Sequence, residues 1–116
     1  EETKNTKEER KYTDKDIEKL KNKLDYILKE LIEETNLIPN KVRIRNINYA
    51  WGSCSSNKNI TINLKLVDKQ DIEIKYVVLH ELCHLKYMNH SEKFWDLVEK
   101  YMPEYKEVQK KLKYNR

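Results

Sequence analysis

At 116 residues, 38% of them charged and 38% hydrophobic, the chain makes one domain with a modest core. Its longest apolar run without a charge, Tyr76-Val77-Val78-Leu79, is far too short to cross a bilayer, and no secretory leader is legible. The net charge is +4, and the two cysteines, Cys54 and Cys83, form neither a disulfide framework nor a CxxC pair, which excludes a zinc ribbon and predicts reduced thiols in a cytoplasmic protein.

Residues 1–11 alternate charges without an apolar period and predict a flexible tail. Thr13 or Asp14 can cap a helix. Ile17, Leu20, Leu24, Ile27, Leu28, Leu31 and Ile32 then recur at helical spacing. That helix should end near Asn36, before Pro39, and cover a sheet. Val42, Ile44 and Ile47 predict a strand, with Lys41, Arg43 and Arg45 between them. Trp51 to Asn57 reads as an irregular turn. Alternation at Ile60, Ile62, Leu64 and Leu66 predicts a second strand.

Asp68 or Asp71 can cap the next helix, expected from Ile72 to Met88 and apolar on most sides. Asn89 can take the left-handed conformation that ends a helix, and Ser91 can cap its successor. That one runs through Phe94, Trp95, Leu97, Val98 and Tyr101 to Pro103. A last segment carries Tyr105, Val108 and Leu112 with a lysine-rich opposite face, read as a solvated face in preference to a nucleic-acid contact.

The chemistry lies in His80-Glu81-Leu82-Cys83-His84. Residues four apart share a helix face, so His80 and His84 can hold one zinc ion. Glu81 lies about 100° round the helix, placed to act as general base without ligating. Burying such polar groups in an apolar helix is costly unless they are partnered. The chain has three histidines, and the third, His90, completes the three-ligand pattern of a catalytic zinc. A helix continued to residue 90 would point His90 away, so the chain must turn, with Asn89 as the candidate. Tyr49, Tyr87 and Tyr101 are candidate oxyanion donors, and Asp96 and Glu92 candidate supports for a ligand imidazole. The strand from Ile60 to Leu66 is the candidate edge for an extended peptide, with Asn63, Trp51 and Ser53 lining the cleft. Trp95 reads as core packing, and Cys83 as a small buried hydrophobe.

In order, Trp51-Gly52-Ser53-Cys54-Ser55, Ile60-Thr61-Ile62-Asn63-Leu64, Tyr76-Val77-Val78-Leu79-His80-Glu81-Leu82-Cys83-His84-Leu85, Asn89-His90-Ser91 and Phe94-Trp95 resemble the YgjP-like metallopeptidase domain, over roughly residues 14–105. The shortness of the chain is similar to that of the minigluzincins. The resemblance implies a small zincin-like α+β domain: a backing helix, a small twisted β-sheet, an HExxH active-site helix and C-terminal helices. It also implies latency imposed by a C-terminal segment. Two departures stand out: Ala50 replaces the usual basic residue before the Trp, and the N-terminal β-rich region is missing.

The expected organisation is a tail at 1–11, a metallopeptidase domain at 12–103 and a basic amphipathic segment at 104–116. That segment can block the site or pair two copies in a homodimer. The expected activity is a zinc-dependent endopeptidase, with a peptide or protein as substrate. A metal-dependent nucleotide hydrolase is a second reading, weakened by the lack of a Gly-rich phosphate loop. A non-enzymatic module with structural zinc is a third, and it requires a cysteine as fourth ligand.

Overall fold

A computed structural model describes residues 10–114. The charged tail, apart from Arg10 and Lys11, lies outside them. The first helix, α1 (Asp14–Thr35), starts where capping chemistry places it. The Thr13 hydroxyl accepts from the Asp16 N–H, and the Asp16 carboxylate accepts from the Thr13 N–H. Arg10 clamps this end by pairing with both Asp16 and Asp68. The helix ends at Asn36 in the left-handed conformation (φ 60°), its N–H donating to the Ile32 carbonyl. Leu20, Leu24, Ile27 and Leu31 are buried.

Three short strands follow: β1 (Lys41–Arg45), β2 (Gly52–Cys54) and β3 (Asn59–Asn63). Their spatial order is β1-β3-β2. β1 runs parallel to β3, with Val42 opposite Ile60 and Ile44 opposite Ile62. β2 runs antiparallel to β3, with Gly52 opposite Ile62 and Cys54 opposite Ile60. Part of the segment expected as an irregular turn is therefore a strand. The turn proper is Ser55–Lys58, where Lys58 has φ 66°.

Two further expectations change here. The alternation through Leu66 does not continue as a strand, because Leu64–Asp68 winds into a 3-10 helix capped by the Asn63 side chain. Leu64 and Leu66 are buried in either conformation, so the apolar pattern alone could not separate them. And β3 is the central strand, so it offers no free edge to a peptide.

The second helix, α2 (Asp71–Cys83), is buried at Ile74, Tyr76, Val77, Val78, Leu79, Leu82 and Cys83. It packs on β2, β3, α1 and the two C-terminal helices. α1 packs chiefly on α2 and the 3-10 helix, and its buried leucines share one core with Ile60 and Ile62 of the sheet. The last two helices are α3 (Glu92–Tyr101), capped by Ser91, and α4 (Tyr105–Tyr114). Tyr105, Val108 and Leu112 of α4 join the same hydrophobic core. Among the described residues, no helix is long and apolar enough to cross a membrane.

Candidate metal centre

His80 and His84 project from the last turn of α2. The helix stops five residues short of the expected Met88, and His84 itself is its C-cap. Tight turns follow: the N–H groups of Leu85 and Lys86 donate to the carbonyls of Leu82 and Cys83. The Tyr87 N–H still donates to the Cys83 carbonyl, so the chain leaves the helical path only after Tyr87, and a bend at Met88 and Asn89 brings His90 back to His80 and His84. Asn89 does not make this turn in the left-handed conformation: among the described residues only Asn36 and Lys58 have positive φ.

The outcome is a convergence of three Nε2 atoms. His90 Nε2 lies 3.1 Å from His84 Nε2 and 3.2 Å from His80 Nε2. A ring nitrogen carries either one hydrogen or one lone pair, so His90 Nε2 cannot satisfy both neighbours by hydrogen bonding. A shared cation can. Tetrahedral coordination at zinc–nitrogen distances of about 2.0–2.1 Å separates ligand nitrogens by about 3.3 Å, close to the spacing seen. The donor cluster holds these three imidazoles and no cysteine. Cys83 is fully buried in the core, and burial pushes its thiol up to about 12. The fourth-ligand cysteine that a structural zinc site would need is not in the cluster.

The outer ring nitrogens are held as a metal site requires. The Tyr87 carbonyl lies 3.0 Å from His84 Nδ1 and accepts its hydrogen, which turns the Nε2 lone pair inward. The Tyr76 hydroxyl lies 3.4 Å from His80 Nδ1 and orients it similarly. These partners, rather than Asp96 or Glu92, support the imidazoles. Tyr76 had carried only an apolar signal, and its position four residues before His80 was the available clue. Burial, and then the neighbouring imidazoles, hold His80 down to about 3, so it stays a neutral donor at neutral pH. His84 is lowered chiefly by burial.

Glu81 is buried beside them, and desolvation pushes its carboxyl up to about 8. It shares a cavity of about 570 Å³ with His80, Tyr49, Trp51, Gly52 and Tyr76. Gln109, Lys110, Leu112 and Lys113 of α4 form the facing wall. Of the residues expected to line the cleft, Trp51 does so. Asn63 is instead buried, its amide donating to the carbonyls of Ile47 and Ala50 at 3.1 and 2.7 Å. It holds the loop that carries Tyr49 and Trp51. Ser53 lies on β2, one residue beyond the cavity wall.

The family model described as "YgjP-like, metallopeptidase domain" matches residues 1–115. The chain belongs to the YgjP-like metallopeptidases. This YgjP-like chain is similar to the metallopeptidase zymogen abylysin of Pyrococcus abyssi, at 28% identity and TM-score 0.69, over 77% of this chain and 90% of that one. It is also similar to the metallopeptidase zymogen jannalysin of Methanocaldococcus jannaschii, at 26% identity and TM-score 0.64, over 83% and 95% of the two chains. No curated protein matches it. The YgjP-like chain is thus a metallopeptidase of the minigluzincin type on a zincin-like α+β fold, and a metal cofactor follows from that membership.

Proposed function

We propose that this metallopeptidase is a zinc-dependent endopeptidase in which His80, His84 and His90 hold the ion and Glu81 is the general base. The observation that carries the reading is the spacing of the three Nε2 atoms, 3.1 and 3.2 Å, with His80 sharing a cavity with the buried Glu81 carboxyl. Zinc held by three neutral imidazoles supplies Lewis-acid polarisation of a carbonyl and lowers the pKa of water.

The remaining work belongs to side chains. Glu81 takes a proton from the attacking water and returns it to the leaving amine. Burial raises its pKa, and the charge of a bound zinc ion would act in the opposite sense, towards the ionised base. An extended peptide has a free edge at β2, which pairs only with β3 and whose Gly52 lines the cavity. Tyr49, largely exposed, lines the same cavity as Glu81 and is our candidate donor to the carbonyl oxygen.

α4 serves as a latency segment. Its Leu112 anchors it to the core, while Gln109, Lys110 and Lys113 occupy the wall opposite Glu81. Both similar solved proteins are named as zymogens, which agrees with this role. The test combines metal analysis of the purified chain with cleavage of an unfolded protein. Zinc near one equivalent, chelator-sensitive cleavage and loss of cleavage in Glu81→Gln are expected. Leu112→Asp, which unseats α4, should raise cleavage above the intact chain. Full cleavage by Glu81→Gln removes the proposed base.

A further inference from the structure

His80 is fixed by a rigid helix, and His84 by the Tyr87 carbonyl. His90 differs. It is the exposed member of the three, on an irregular segment, and it is the one that stacks face to face on Trp95, which meets His80 edge-on at 5.7 Å. It stacks on Trp95 with ring centroids 5.7 Å apart and planes 23° from parallel. Phe94 meets it edge-on at 5.0 Å. The same Trp95 indole stacks on Tyr105, the first residue of α4, at 5.4 Å and 16°. A continuous aromatic path therefore runs from the exposed imidazole to the helix that walls the cavity. Stacked rings in this range stabilise each other beyond the area they bury.

We propose that Trp95 is the positioning residue for His90, and that through Tyr105 it ties metal affinity to the seating of α4. This rests on the reading of the three histidines as a metal centre. The flat indole restricts the His90 ring to the orientation in which Nε2 points at its two partners, so less ordering is left for the metal to impose. Tyr105 restricts the indole in turn. Metal binding and α4 docking thereby favour one another, and by linkage the effect must be reciprocal.

Zinc affinity is measured by competition with a chromophoric chelator, using the full-length chain and its Trp95→Phe, Trp95→Leu, Tyr105→Ala and His90→Ala variants, each checked for folding by circular dichroism. Phe keeps a flat ring, whereas Leu keeps only apolar bulk. The expected result is affinity within about threefold of the parent for Trp95→Phe and a loss of about tenfold for Trp95→Leu. Tyr105→Ala should lose about threefold. Equal affinities for the Phe and Leu variants, or an unchanged affinity in Tyr105→Ala, overturn the proposal while leaving the metal centre intact. An unchanged affinity in His90→Ala overturns the metal-centre reading itself, and the proposal with it.

Discussion

Gly52 leaves too little room for a side chain beside the carboxylate of Glu81. A β-carbon at residue 52 would lie 3.1 Å from Glu81 Oε2 and 3.0 Å from Val77 Cγ1, tighter than ordinary van der Waals contact. The one glycine of the chain therefore stands where β2 must approach the active helix. Gly52→Ala should push the carboxylate aside by a few tenths of an ångström. We expect kcat to fall on the order of tenfold with zinc content unchanged. Steady-state cleavage and metal analysis of the same preparation check this, and an undiminished kcat would show that the carboxylate tolerates the shift.

Glu81→Gln keeps the shape and removes the base. Cleavage should drop by about a hundredfold or more, with zinc retained. Loss of the metal in this variant would instead make Glu81 a ligand.

The metal-stripped chain should have a bell-shaped dependence of stability on pH. His80 is held down to about 3 from 6.5, so below 6.5 the unfolded chain takes up a proton that the folded one refuses. Stability is lost as the pH falls through that range. Glu81 is pushed up to about 8 from 4.5, so above 4.5 the unfolded chain releases a proton that the folded one keeps. Stability is lost as the pH rises towards 8. The two slopes oppose each other between 4.5 and 6.5, where the maximum should fall. Thermal melts of chelator-treated protein across this range measure it. A melting temperature that climbs steadily up to pH 8 contradicts these assignments.

Asn63→Ala should act on the loop rather than on the chemistry. It deletes donors to the Ile47 and Ala50 carbonyls and the acceptor for the Lys65 N–H. Destabilisation by about 1–3 kcal/mol is expected in urea unfolding. KM should rise more than kcat falls, because Tyr49 and Trp51 lose their fixed place.

Asn89→Ala should leave zinc affinity within about twofold of the parent. Residue 89 lies in the bend that follows Tyr87 but does not use the left-handed conformation that would favour Asn there, so Ala can take its place. A large loss, read by chelator competition, would restore the turn role that the sequence suggests.

Local chemistry made much of this protein legible before any coordinates. Thr13, Asn36 and Ser91 bound their helices because capping is a short-range hydrogen-bonding matter. The histidine pair four apart was legible as a candidate metal site, because that spacing places both rings on one face of any helix. Other features were settled only by packing. The strand at Gly52–Cys54 carries no alternation, and it exists because β3 lies beside it. Leu64 and Leu66 alternate like a strand yet sit in a 3-10 helix, because burial demands apolar residues in both. The central place of β3 and the approach of Gly52 to Glu81 join residues distant along the chain, and the stack from His90 through Trp95 to Tyr105 joins three separate elements. Their energies depend on distance in space, which no single-sequence pattern encodes, so the fold alone decided them.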